Sequence, residues 1–348
     1  MAEFPADELA RLAKFLATAG LCDGPLTARP VGDGHSNLTF LVSDGQRQVV
    51  VRRPPPPPLP PGAHDVLREA RLIRSLAGSP VPVPAVLATA EAGEVIGAPF
   101  FVMDHVPGPV ATTATPPALS SPGDRRQLGE ALIDTLAALH AVDWRAVGLA
   151  DLGHPEGFNS RHLRRMGRLI TGADGQLPAG FAAIAAWLEA NVPPESGASI
   201  VHNDYRLGNV ILAPEPPARI AAVLDWELAT IGDPLFDLGY FLASCPAPGE
   251  PLTPTGQMGT AVLEPGYPTR EDLARRYATA TGRDLSQLPW YVTMALWKLA
   301  VLYEYGRRRA ETGHGDAYYR DPALVQSFLA AAQRSAGRRG RRGPQLPR

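Results

Sequence analysis

The period of the apolar residues changes once along this chain, and that change limits its fold more than any other feature. Residues 28–108 read as short strands around one helix: TARPVGDGHSNLTFLVSDGQRQVVVRR holds two strands or more, with turns at Gly34 and Asp44-Gly45. PPPPPLPPG at 54–62 then forces an extended connection without backbone donors. In HDVLREARLIRSLAG, Val66, Ala70, Ile73 and Ala77 recur at helical spacing, and VLATA and FFVMDHV supply two more strands. A Pro-, Thr- and Ser-rich connection at 109–125 follows. Beyond it the period is helical, in DRRQLGEALIDTLAALHAV, FAAIAAWLEANV, YPTREDLARRYATATG, LPWYVTMALWKLAVLYEYGRRRAE and PALVQSFLAAAQ. One β-like stretch, SIVHNDYRLGNVILAPEPPARIAAVLDWELATIGDPLFDLGYF, interrupts the helices. The pattern predicts an α+β fold with two lobes, a small strand-rich N-lobe and a larger, mainly helical C-lobe. Its expected divisions are a helix over 1–24, the N-lobe over 25–108, the C-lobe over 109–330 and a disordered tail over 331–348.

A chain of 348 residues has room for about two domains and for a full core without staples. Cys22 and Cys245 are too few for a disulfide framework or a cysteine metal site, which suits a reducing, cytoplasmic setting. The N-terminal MAEFPADELARLAKFLATAG carries Glu3, Asp7 and Glu8 where a signal peptide would be basic, so it reads as an amphipathic helix of the fold. No apolar run reaches the length of a membrane span, and a soluble protein is expected. The net charge of −2 conceals an asymmetry: six Arg and no acid lie between Arg334 and Arg348. Without them 27 basic residues face 35 acidic ones, a body of about −8. An acidic body argues against nucleic acid as the main substrate.

The densest chemistry lies in VHNDYRLGNVIL. His202, Asp204 and Asn209 fit H-x-D-x-x-x-x-N, the spacing of a kinase catalytic loop, between two apolar strands. A carboxylate at Asp204 can accept the proton of an attacking hydroxyl, and an amide oxygen five residues later can hold a metal. In IAAVLDWELA, five apolar residues lead into Asp225 at the end of a buried strand. A Mg²⁺ ion bridging nucleotide phosphates takes such a hard oxygen ligand, and Asp225 stands where protein kinases carry the Asp of D-F-G.

The run HNDYRLGN…VLDWELATIGDPLFDLGY resembles the aminoglycoside phosphotransferase and choline kinase family. Within that family, GDGHSNLTFLV, VVVRRPP, HDVLREARLI, IGAPFFVMDHV and GYPTREDLARRYATATGRDL are most similar to the kinase domains related to those fused to acyl-CoA dehydrogenases. The resemblance spans about residues 25–330 and implies a protein-kinase-like fold, ATP and Mg²⁺ as cofactors, and a small hydroxylated acceptor. It implies that GDGHSN, with Gly34, Ser36 and Asn37, covers the phosphates, although a plain hairpin turn fits equally. Arg52 stands in the place of the usual strand Lys, with Glu69 as its helix partner and Arg53 as the competing choice, since alternation turns only one of the two inward. Main-chain groups from Asp104 to Val106 would meet the adenine edge, whereas Phe101 and Met103 read as core. Arg206 would neutralise the transferring phosphoryl or make a surface ion pair. Glu227 would join a second metal or make a structural hydrogen bond. Asp233, Asp237 and His202 read as braces of the catalytic loop, and Asn203 replaces a common Gly.

The sequence-level conclusion is an ATP-dependent phosphotransferase with Asp204 and Arg206 as catalytic groups and Asn209 and Asp225 as metal ligands. Arg161, Arg164, Arg165 and Arg168 recur on one side of a helix, a basic face that suits an anionic acceptor such as a hydroxyacyl-CoA. That face also reads as a solvated surface. Two alternatives stand beside this conclusion: an antibiotic kinase of the aminoglycoside type, and a silent nucleotide-binding pseudokinase.

Overall fold

The computed structural model describes residues 4–32, 37–57 and 64–337. Its elements, in chain order, are α1 (Ala6–Thr18), β1 (Thr27–Pro30), β2 (Leu38–Ser43), β3 (Gln48–Arg53), α2 (Val66–Leu76), β4 (Val86–Ala90) and β5 (Phe100–Asp104). Then come α3 (Pro122–Ala141), α4 (Phe158–Arg168), α5 (Ala179–Ala190), β6 (Ser199–Val201), β7 (Val210–Leu212), β8 (Ile220–Val223) and β9 (Thr230–Gly232). The remainder is helical: α6 (Leu235–Ser244), α7 (Pro254–Gln257), α8 (Arg270–Thr281), α9 (Leu288–Glu311) and α10 (Pro322–Gly337). Gly34, Ser36 and residues 58–62 of the proline run lie outside the described residues.

The chain forms two compact units, Met1–Gly108 with Ala221–Leu228, and Pro109–Ile220 with Ala229–Arg348. The expected C-lobe is therefore interrupted, because Ala221–Leu228, with Asp225, belongs to the first unit. The expected tail also begins too early. Residues 331–337 are the last turns of α10, where Ala332 is buried, and only the Arg-rich stretch after Gly337 lies outside the described residues.

In the first unit five strands form one antiparallel sheet in the order β1-β2-β3-β5-β4. Its period of two sorts the side chains of β3. Val49 and Val51 join Leu12 and Leu16 of α1, with Phe40, Val42, Phe100 and Val102, in one buried cluster. Val50 and Arg52 take the opposite face. α2 starts at an Asp65 cap whose carboxylate accepts the Arg68 N–H at 2.9 Å, and it buries Val66, Ala70, Ile73 and Glu69.

In the second unit α6 is buried at every position, its polar Asp237, Tyr240 and Ser244 included. Gly239 lets it approach α9 closely, because a Cβ there would lie 2.7 Å from the Tyr291 carbonyl carbon. α9 carries Trp290, Tyr291, Met294 and Trp297, all fully buried. β6 pairs with β9 through Ile200 and Ile231 and delivers the chain into the loop at His202. Among the described residues no helix is long and apolar enough to cross a membrane.

Candidate active site

The first unit gathers its charged groups around Arg52. The Arg52 Nε donates to Glu69 at 2.9 Å, one Nη donates to the Thr39 hydroxyl at 3.2 Å, and the other donates to Asp225. That second Nη also lies 3.6 Å from Glu227. Arg53, on the α1 face of β3, pairs with Glu8 and lies against the Phe4 ring. Strand alternation thus assigns the inward place to Arg52. Glu227 accepts from the Asn37 amide at 2.8 Å, and the Asn37 oxygen meets His64 at 3.1 Å. The side chain of Asn37 is therefore turned to Glu227, and Glu227 makes the structural bond. The Asp104 N–H donates to Ala85 O at 2.9 Å, so that N–H is taken up within the fold. Phe101 and Met103 are buried in the core.

Three carboxylates share one guanidinium here, and the sharing has an electrical cost. Burial, countered by Arg52 but reinforced by Asp225 and Glu227, pushes the Glu69 carboxyl up to about 7. A carboxyl raised in the folded state holds its proton where the unfolded chain has lost it. Its contribution to stability is therefore present at low pH and is lost as pH rises through the folded value. In metal-free buffer, stability should fall between about pH 4.5 and 7 by on the order of 3 kcal/mol from this group. Glu69→Gln should flatten that part of the profile, and unfolding midpoints of both proteins across this pH range will show whether it does.

The second unit builds the loop from His202 to Asn209. Asp237, on the first turn of α6, accepts the His202 N–H at 2.6 Å and the Asn203 N–H at 2.8 Å. Burial raises the Asp237 carboxyl, but the His140 hydrogen bond and the His140 and His202 rings outweigh burial and hold it below the usual range. Asn203 has φ +66°, a left-handed conformation that Asn adopts more readily than other non-Gly residues. The Asp204 N–H then turns back onto His202 Nδ1 at 3.2 Å.

The Asp204 carboxylate is held on both oxygens. Tyr240 Oη donates to Oδ1 at 2.6 Å, Asn209 Nδ2 donates to Oδ2 at 2.8 Å, and Arg206 Nε lies 3.3 Å from Oδ1. Asn209 Nδ2 also donates to the Asp204 carbonyl at 2.8 Å, so the amide oxygen is the end that remains for a cation. Asp233 is structural: it accepts from Ser196, from the Leu235 N–H and from the buried Asn159 and Tyr291. Tyr240 was not singled out from sequence, yet a signal existed. It follows Asp237 by three residues on one helix, so both face the loop.

A strand-rich first unit and a mainly helical second unit define the class of fold, a protein-kinase-like architecture. Residues 27–283 match the model of the phosphotransferase enzyme family, APH, and the chain belongs to that family. It is 30% identical to acyl-CoA dehydrogenase family member 10 of Mus musculus, over 84% of this chain and 27% of that protein. It is 34% identical to acyl-CoA dehydrogenase family member 11 of Gallus gallus, over 89% of this chain and 41% of that protein. The chain therefore spans less than half the length of these relatives. Among solved structures it is similar to an aminoglycoside phosphotransferase described as putative, from Ralstonia eutropha JMP134, with TM-score 0.76 and 28% identity, covering 93% of this chain and 98% of that one. A thermostable mutant of APH(4)-Ia, solved as a ternary complex with ADP and hygromycin B, shares the fold at TM-score 0.59 and 16% identity, covering 93% of this chain and 98% of that one.

Proposed function

We propose that this chain transfers the γ-phosphoryl group of Mg-ATP to a hydroxyl of an anionic small molecule, with hydroxyacyl-CoA thioesters as the preferred acceptor class. The observation that carries this reading is the Asp204 carboxylate, fixed by Tyr240, Asn209 and Arg206 near the start of a loop braced by Asp237. Phosphoryl transfer needs little covalent help from a protein; it needs a positioned acceptor and neutralised charge. Asp204 would orient the acceptor hydroxyl and take its proton, and Arg206 would offset charge beside it. Asp225, whose side chain is 32% exposed and which has one oxygen on Arg52, and Asn209, with its amide oxygen, are each assigned as donors for magnesium. These are hard oxygens and few in number, as magnesium prefers when phosphates complete its shell. Bound magnesium would supply charge neutralisation of the phosphates. Arg52 and Val106 are assigned to the nucleotide, and the ADP complex of the similar fold supports ATP as its identity.

The acceptor class draws on α4 and on the relatives. Arg161, Arg164, Arg165 and Arg168 are exposed, while Phe158, Leu163 and Met166 on the same helix are buried. Arg161 is engaged with the His154 carbonyl, so Arg164 and Arg165 are the better probes of the basic face. The names of the similar proteins, acyl-CoA dehydrogenase family members, point to the same acceptor chemistry. Turnover should be readily measured with hydroxyacyl-CoA thioesters and poor with kanamycin, a polycation. Arg164→Glu/Arg165→Glu should raise KM for the thioester on the order of tenfold. Efficient kanamycin turnover, or an unchanged KM, would refute the anionic acceptor. A second reading, nucleotide binding without turnover, draws on Arg52, whose guanidinium is already shared among three carboxylates; turnover in the same assay decides against it.

A further inference from the structure

Of the 33 basic residues in this chain, 31 are Arg and only Lys14 and Lys298 are Lys. Lys14 is an exposed residue of α1. Lys298 is 3% exposed in the middle of α9. Its ammonium donates to the Asn203 carbonyl at 2.7 Å and lies 5.1 Å from the Phe236 ring centroid and 5.0 Å from that of Tyr240. The main chain of Asn203 is therefore gripped on both sides. Asp237 accepts its N–H, and Lys298 donates to its carbonyl. The next residue is Asp204, and the ring beneath the ammonium is the one whose hydroxyl donates to Asp204.

A buried ammonium is expensive, and an apolar side chain of similar length would fill this space at lower cost. Burial pushes Lys298 down to about 8 against the pull of Asp204 and Asp237, so the fold tolerates a penalty here. The choice of Lys also has a geometric cause. A compact head on a flexible stem reaches one carbonyl between two ring faces, where the planar fork of Arg is a poor fit.

We propose that Lys298 is a positioning residue of the phosphoryl-transfer reaction, holding the Asn203 carbonyl and the Tyr240 ring so that Asp204 meets the acceptor hydroxyl in one orientation. The inference rests on the function proposed above. It goes beyond that function by giving α9 a part in the chemistry without contact to either substrate.

The test measures Mg-ATP turnover with 3-hydroxybutyryl-CoA for wild type, Asp204→Asn, Lys298→Met, Tyr240→Phe and the Lys298→Met/Tyr240→Phe double variant. Lys298→Met should lower kcat roughly 10- to 100-fold, the scale of a small misplacement of a reacting group, with KM for Mg-ATP unchanged. The double variant should lose less than the product of the two single losses, because both act through Asp204. A folded Lys298→Met protein with wild-type kcat, or losses that simply multiply, overturns the proposal. Should Lys298→Met not fold, wild type labelled with ¹³C at the lysine ε carbon carries the decision. It gives two lysine signals, of which Asp204→Asn must shift the one from Lys298 and leave that from Lys14. Two unmoved signals overturn the proposal as well. The two failures are separable. If wild type is no faster than Asp204→Asn, the phosphotransfer reading falls and this inference with it; if Asp204→Asn is slow and Lys298→Met is fast, only the inference falls.

Discussion

Asp204→Asn should lower turnover by on the order of 10²–10⁴, the span of general acid–base contributions, while Mg-ATP binds as it does to wild type. Asn keeps the size of the side chain and can still accept from Tyr240 Oη. What it lacks is the second acceptor oxygen, which in the native loop takes the Asn209 amide at 2.8 Å, and any capacity to receive a proton. The bracing around it does not depend on this side chain: Asp237 holds the His202 and Asn203 amides through its own oxygens. The loss should therefore fall on kcat and leave the fold in place. Calorimetric nucleotide titration and steady-state rates on the same preparation will separate binding from chemistry. An unchanged rate with a true acceptor would remove Asp204 from its role.

Which parts of this site are legible in sequence follows from how far apart their residues lie. His202, Asp204 and Asn209 fall within one short run between two strands, so spacing alone displays them. Asp225 shows itself because an apolar strand ends on a carboxylate. The choice between Arg52 and Arg53 needs a fact that β3 does not contain, namely which sheet face α1 covers. The Glu8 pairing of Arg53 answers it from the other end of the unit. Tyr240 reaches Asp204 across 36 residues and Lys298 reaches Asn203 across 95. No local pattern records such contacts, because they are created when α6 settles on α9 at Gly239. Periodicity also gave most elements but not the division between units. The segment Ala221–Leu228 belongs with the N-terminal sheet by its contacts, and chain order places it with the helices.

Asp225→Asn should separate activity from stability more sharply than any other single change. On the activity side, the substitution removes the main protein charge assigned to magnesium. A catalytic metal contributes several kcal/mol of charge stabilisation, so Mg-dependent turnover should drop on the order of 10³-fold or more. On the stability side the sign reverses. Asp225, Glu69 and Glu227 surround a single Arg52 guanidinium, and Glu69, 2% exposed, is the member pushed up to about 7, chiefly by burial and further by its two acidic neighbours. Neutralising Asp225 relieves Glu69 of one repelling neighbour and leaves its ion pair with Arg52 intact at 2.9 Å. Asn is the suitable replacement because Asp225 sits at φ +66°, where Asn and Asp are tolerated and Ala is strained. The variant should thus unfold at a temperature equal to or above that of wild type in metal-free buffer, and it should gain less from added magnesium and nucleotide. Thermal unfolding with and without Mg-ATP, set beside the turnover rate, measures both halves. A variant that keeps its turnover, or one that loses stability in metal-free buffer, would show that Asp225 serves the fold through Arg52 and not the metal.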